Sequence, residues 1–218
     1  MKIDFVSDVS CPWCVVGLKS LEAALARVGN EVAVDIHFQP FELNPQMGPE
    51  GQDIAEHIAQ KYGSSAADIG RNQEGLKARG EALGFHFDFQ RRGRIYNTFD
   101  AHRLLHWAAG EGEGKQQALK HALFTAYFTE GRDPSNHDVL VSVAGGVGLD
   151  EARARQILSS DEFAREVRER EKLYAGLGIH AVPSVIINDR HLIQGGQPPE
   201  VFEQALRQLA KGEGTSNS

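Results

Sequence analysis

Cys11 and Cys14 are the only two cysteines in the chain, and both sit in one Cys11-Pro12-Trp13-Cys14 turn. A thiolate is a strong nucleophile where a thiol is a weak one, and two sulfurs at this spacing can share a disulfide. Context sharpens the reading, because a short apolar strand precedes the pair and a helical pattern begins inside it. The unpaired N–H groups and partial positive charge of a helix N-terminus would then face Cys11, an arrangement that lowers a thiol pKa from about 8.5 into a range of roughly 3.5–7.5. Cys11 is therefore expected to be the attacking sulfur. Cys14, one turn inward on the apolar face, is expected to resolve a mixed disulfide formed at Cys11 and release the reduced substrate. Pro12 suits the first helical turn, where its missing N–H would be unpaired anyway, and Trp13 sets a large aromatic beside the reacting sulfur.

Two other chemistries fit a C-x-x-C less well. Zinc modules generally need two further ligands in a second short cluster. The nearest pair is His102 and His106, four apart on a predicted helix, and nine histidines in the chain make such a spacing unremarkable. No metal is expected, and redox exchange is preferred over two merely structural thiols. A second half-site is suggested at Val182-Pro183-Ser184, where a proline begins an apolar strand. Punctuation alone accounts for a proline there. A cis Val182-Pro183 bond would turn the Val182 N–H and C=O outward, where an extended substrate could pair with them over Cys11.

The elements that must hold these groups are legible. Residues 3–7 read as a strand, and Cys14, Leu18, Leu21, Leu25 and Val28 recur at helical spacing up to a stop at Gly29-Asn30. Val32, Val34, Ile36 and Phe38 alternate, which predicts a strand over 32–38, with Pro40 and Pro45 marking its exit. Helical periodicity then dominates, with segments near 52–62, 65–84, 97–110, 113–129, 135–146, 150–158 and 160–176, and Asp150 is placed as an N-cap. A hairpin follows over 183–194, turning at Asn188-Asp189, and a last helix starts near Pro198-Pro199 before a loose polar tail over 212–218.

The composition bounds the function. The 218 residues are 41% hydrophobic and carry 23 Lys+Arg against 30 Asp+Glu, a net charge of −7. A chain this long buries about 70–75% of its unfolded surface without disulfide staples. The charge is wrong for a phosphate backbone, so nucleic acid is an unsuitable partner. No window reaches the roughly 18–20 apolar residues of a membrane span, and the acidic start lacks the apolar stretch of a signal peptide. The expectation is a soluble, cytoplasmic chain with no membrane partner.

Four stretches together resemble a known family: Asp4-Phe5-Val6-Ser7-Asp8-Val9-Ser10-Cys11-Pro12-Trp13-Cys14, Asn97-Thr98-Phe99-Asp100-Ala101-His102-Arg103, Val182-Pro183-Ser184 and Gly195-Gly196-Gln197-Pro198. They are similar to the DsbA-like branch of the thioredoxin superfamily, and within it to FrnE-like proteins, close to 2-hydroxychromene-2-carboxylate isomerases and kappa-class glutathione transferases. The likeness covers nearly the whole chain. It implies an α/β thioredoxin fold interrupted by a helical insertion domain: residues 1–45 and 174–218 would form the thioredoxin part and residues 46–173 the insertion. It also implies a cis-proline at Pro183 facing Cys11 and Cys14 across a groove. Pro12, Trp13 and Val182 would then touch substrate, and the segment carrying Asn97, His102 and Arg103 would roof the groove. Beside Leu104, Leu105 and Trp107, which supply helix packing, an asparagine or histidine is more often a satisfied structural residue than a catalyst. Asp8 either relays a proton near Cys14 or caps a turn, and Glu42 and Asp35 stay unassigned. The isomerase and transferase relatives typically carry serine where this chain has Cys11, which favours thiol exchange. Classical periplasmic relatives carry histidine between the cysteines; Trp13 offers the thiolate no cationic donor, so a less oxidising pair is expected.

The resulting expectation is a cytoplasmic thiol–disulfide oxidoreductase or isomerase acting on a thiol- or disulfide-containing protein or small molecule. It would require no cofactor, with glutathione as a candidate redox partner. Its direction depends on a reduction potential that sequence does not give, 30 mV being worth about 1.4 kcal/mol for this two-electron couple. One alternative is a glutathione-dependent isomerase or transferase acting on a small aromatic or polyketide-like molecule. Another is a non-enzymatic, chaperone-like module that holds unfolded chains in the groove. The helical part could also expose an apolar face for a homodimer.

Overall fold

The computed structural model describes residues 1–214. Its main sheet has four strands in the order β2-β1-β5-β6, where β1 is Lys2–Ser7, β2 Asp35–Pro40, β5 Ser184–Ile187 and β6 His191–Gln194. β1 pairs in parallel with β2 and antiparallel with β5, and β5 pairs antiparallel with β6. As an inner strand, β1 is buried on both faces from Ile3 to Ser7, so its polar residues need partners inside. Asp4 accepts a hydrogen bond from Gln39 Nε2 at 2.7 Å and pairs with Lys2 Nζ at 2.9 Å.

Helix α1, Pro12–Val28, has Pro12 in its first turn and ends at Gly29, whose φ of 59° lets its N–H close on the Leu25 carbonyl. A 3-10 turn over Gly29–Glu31 follows. That turn is the reason the next strand starts later than its alternation predicts: Lys2 pairs with Asp35, so Val32 and Val34 precede the ladder. The strand also runs on through Pro40, expected to mark the exit. β2 lies at the sheet edge, where a missing N–H costs no ladder bond.

Between β2 and β5 the chain inserts its helical region. A two-residue ribbon of β3 (Gln52–Asp53) with β4 (Arg94–Ile95) brackets α2 (Ile54–Tyr62) and α3 (Ala66–Ala82). Strands this short carry no readable alternation, and the sequence pattern assigned residues 52–53 to a helix. Helices α4 (Phe99–Ala108), α5 (Lys115–Phe124), α6 (His137–Gly146), α7 (Glu151–Leu158) and α8 (Ala164–Gly176) follow, α5 running directly into a π-helical turn over Thr125–Thr129. Side-chain oxygens of Asp53, Ser65, Asn136 and Asp150 cap four helix starts.

Asn188 and Asp189 turn the β5–β6 hairpin at φ 51° and 57°, a conformation asparagine and aspartate tolerate best among residues with a Cβ. The last helix, α9, spans Pro199–Gly214 and so takes in Gly212, expected to start the tail; 215–218 lie outside the described residues.

Two large apolar clusters form. One joins Phe5 of β1, Leu18 and Leu21 of α1 and Phe202 of α9 to Leu76 of α3 and to Phe87, Phe124 and Phe128. The other fills the helical region with Leu104, Trp107, Leu119, Leu140 and Ile157, and also takes in Val9, two residues before Cys11. A fully buried aliphatic side chain contributes roughly 1.5–3 kcal/mol, so Val9 pins the cysteine loop to the helical core.

Candidate active site

Cys11 occupies the N-cap position of α1, with φ −93° and ψ 113°, and makes no side-chain cap bond. Both cysteines are free thiols; Cys11 is 4% exposed and Cys14 wholly buried. Cys11 N–H bonds to the Asp8 carbonyl at 3.4 Å, and Cys14 N–H to the Cys11 carbonyl at 3.1 Å. Burial pushes the Cys14 thiol well above its ordinary range, and its contact with Cys11 adds to this, while the charge of Lys120 opposes both. Cys14 thus keeps its proton while it stays sealed inside.

The Val182-Pro183 peptide bond is cis. The Val182 carbonyl, expected to point outward, accepts from Cys11 Sγ at 3.7 Å. Pro183 is buried against α1, and a Cβ built on Gly17 would stand only 2.8 Å from Pro183 Cγ. Trp13 is half-buried; a Cβ on Gly196 would meet its Cε3 at 3.1 Å, and the Arg79 guanidinium lies 5.2 Å from its ring centre. Arg79 also donates to the Gly196 carbonyl, so α3 and the segment after β6 clasp Trp13 from two sides. Pro12, half-buried beside it, completes the set that the structure brings together: Cys11, Cys14, Pro12, Trp13, Val182 and Pro183.

Below the cysteine loop, Asp8 is a hub. Its carboxylate accepts from Ser10 N–H at 3.3 Å, Ser10 Oγ at 2.9 Å, Leu43 N–H at 2.7 Å and Thr98 Oγ1 at 2.7 Å, with His102 Nε2 at 3.5 Å. Burial alone would raise its pKa, but His102, Leu43 and Thr98 outweigh that and hold it at about 2. The geometry therefore favours the capping alternative: Asp8 ties the cysteine loop to the strand exit and to the start of α4. His102 is 2% exposed, and its Nε2 faces both Asp8 and the Phe41 carbonyl at 3.1 Å, so that nitrogen carries a proton.

The remaining residues expected to roof the groove have framework contacts. Asn97 Oδ1 accepts from Phe99 N–H at 2.9 Å, and its Nδ2 lies 3.4 Å from Glu42 Oε1. Glu42 is buried, which raises its carboxyl pKa against the opposing pull of Arg168, its ion-pair partner. Arg103 turns away from the cysteines, donating to the Ile157, Ser160 and Glu162 carbonyls and to Asp100.

Three neighbours of the pair carry no sequence signal. Tyr62, at the end of α2, is 60% exposed, and its phenol is pushed up by partial burial and by the nearby Cys11 charge. Arg92 is buried against Tyr127 and Phe128, 4.7 and 4.8 Å from their ring centres, and donates to the Ser10 carbonyl at 3.3 Å. Lys120, on α5, is 1% exposed within electrostatic reach of both cysteines. Tyr62 and Lys120 arrive from helices α2 and α5 and Arg92 from the loop before β4, none at a position that its local pattern marks.

Residues 2–207 match the family model of the DSBA-like thioredoxin domain. The chain is 29% identical over 205 residues to the uncharacterized protein YwbO of Bacillus subtilis (strain 168), covering 94% of each. Among solved structures, the probable DsbA oxidoreductase SCO1869 from Streptomyces coelicolor superposes with a TM-score of 0.90 at 35% identity, over 98% of this chain and 91% of that one. A 2-hydroxychromene-2-carboxylate isomerase superposes at 0.72 with 16% identity over all of both chains. The cytosolic disulfide reductase DsbM from Pseudomonas aeruginosa, with GSH, gives 0.67 at 17%, over 97% of this chain and all of that one. At these identities the last two are likenesses of fold.

Proposed function

The chain belongs to the DSBA-like thioredoxin domain family, and we propose that within it the protein is a FrnE-like thiol–disulfide oxidoreductase working through Cys11 and Cys14. The observation that carries this reading is the placement of Cys11 at the head of α1, with Cys14 buried one turn behind it and the Val182 carbonyl 3.7 Å in front. A helix N-terminus favours the anionic sulfur that exchange requires. The Cys11 thiolate attacks one sulfur of a substrate disulfide, forming a mixed disulfide and releasing the other substrate sulfur as thiolate. Cys14 then attacks the Cys11 sulfur and closes the Cys11–Cys14 disulfide, its proton passing to the second substrate sulfur, which leaves as a thiol. Two electrons pass from the protein dithiol to the substrate, and a thiol such as glutathione restores the dithiol by the reverse steps. In a reducing compartment the pair would act as reductase or isomerase rather than as net oxidant.

The high pKa of the Cys14 thiol supports the order of events, because the buried sulfur stays protonated while Cys11 reacts. Val182, Trp13 and Tyr62 are the surface offered to substrate beside Cys11, with Pro183 buried behind Val182. The test is turnover of a model peptide disulfide with glutathione as reductant. Cys11→Ser should reduce it to background, and Cys14→Ala should stall it at the mixed disulfide. Turnover that survives Cys14→Ala, together with conversion of a small aromatic substrate by Cys11→Ser, would move the protein to glutathione-dependent isomerisation. Retention of unfolded-chain binding with both cysteines replaced, and no turnover in the wild type, would leave a chaperone-like module.

A further inference from the structure

A cavity of about 120 Å³ opens between β2, α4, α5 and α8, bordered by His37, His102, His106, Gln116, Lys120 and Arg170. Five of these six side chains are basic and, among the described residues, no carboxylate borders the space, although the chain as a whole carries a net charge of −7. Half of the set has partners already. His37 pairs with Asp35 at 2.9 Å, His102 faces Asp8 and the Phe41 carbonyl, and the Gln116 amide is taken up by Phe38 and Leu105.

Lys120, His106 and Arg170 remain. Lys120 is 1% exposed and makes no hydrogen bond or ion pair among the described residues; its Nζ lies 5.0 Å over the Phe124 ring. A buried ammonium without a paired anion is costly, and burial pushes this one down to about 8, with Cys14, Asp8 and Cys11 opposing at longer range. Arg170, exposed on α8, likewise has no ion pair among the described residues. It pushes the half-buried His106 imidazole down in the same direction as burial, against Glu166. A lysine, an arginine and a histidine from three helices thus border one space, and Arg170 disfavours charge on His106.

We propose that this cavity is a binding site for a small oxyanion, the phosphate or carboxylate group of a soluble metabolite, held by Lys120 and Arg170 with His106 as a further donor. A bound anion supplies the counter-charge that Lys120 otherwise lacks, and charge-assisted hydrogen bonds from lysine and arginine are among the stronger ones available. The space suits the size, since a cavity of this volume accommodates several waters and hence a five-atom tetrahedral anion. The binding does not depend on the thiol chemistry, so either can fail without the other.

The full chain is titrated in Tris chloride near pH 7 with inorganic phosphate and, separately, with acetate, at an ionic strength held near about 0.15 M. Tm and the His106 imidazole NMR titration are followed. At least one anion should raise Tm saturably and move the His106 titration upward, and which of the two does so identifies the recognised group. Arg170→Ala, a surface change that leaves the fold intact, should weaken the apparent affinity about tenfold, the worth of one charge-assisted hydrogen bond. Lys120→Met, checked for folding by circular dichroism, should abolish the saturable response. No saturable response to either anion, or one that survives both substitutions, overturns the proposal.

Discussion

A single buried carboxylate holds the loop that leads into Cys11. Asp8 has its pKa depressed to about 2 from an ordinary 3.8, so the folded protein binds its proton more weakly than the unfolded chain does. The stabilisation is complete above about pH 5 and is lost as the pH falls through 3.8 towards 2, a contribution of about 2 kcal/mol. Urea unfolding between pH 3 and pH 7 should show this loss in the wild type and a flatter profile in Asp8→Asn, itself weaker by about 1–3 kcal/mol at pH 7 because it cannot satisfy four donors as an anion does. Equal pH slopes for the two proteins would remove Asp8 as the hub. The cysteine pair was legible in the sequence because its chemistry is local, two sulfurs and a helix start within four residues. Asp8 stood close enough to be noticed, but choosing between relay and cap needed Leu43, Thr98 and His102, all distant in sequence. Lys120 and Tyr62 gave no signal, since their proximity to sulfur is created by the folding of helices α5 and α2.

Helix α1 carries the pair, and its close approach to Pro183 depends on a missing side chain at Gly17. Gly17→Ala would set a methyl 2.8 Å from Pro183 Cγ, so the helix or the proline segment must shift. A loss of about 1–3 kcal/mol is expected, with slower thiol exchange because the Val182 carbonyl moves relative to Cys11. Gly75→Ala is the contrasting case: exposed inside α3 with nothing within 4 Å of the added Cβ, it should stabilise by about 0.5–1 kcal/mol. Thermal unfolding of both variants checks the pair of signs. At this scale the helices were readable from periodicity and caps, and α7 begins after the anticipated Asp150. β2 was misplaced because Val32 and Val34 continue an alternation that the 3-10 turn and the register with β1 interrupt. The β3–β4 ribbon was invisible, being fixed by contacts between residues some forty apart rather than by any pattern within two residues.

The family showed in the sequence because its motifs are spread from Asp4 to Pro198, but how the helical region grips the cysteine loop did not. Val9 belongs to the helical core, while Phe124 and Phe128, from the helical region, belong to the core around the sheet. This interlocking couples the two regions. The chain has two tryptophans, Trp13 packed on the first cluster and Trp107 inside the second. Fluorescence of Trp107→Phe and Trp13→Phe, each corrected for its own stability by circular dichroism, should report one shared denaturant midpoint per protein; separate transitions would show that the clusters unfold independently. The central claim is that Cys11 attacks and Cys14 resolves. Its most direct test is to equilibrate the protein across a glutathione redox series, trap free thiols by alkylation and read both cysteines by mass spectrometry. Wild type should pass into an internal Cys11–Cys14 disulfide, and Cys14→Ala should accumulate a Cys11–glutathione adduct. If neither species forms in folded protein, the two-thiol account is wrong.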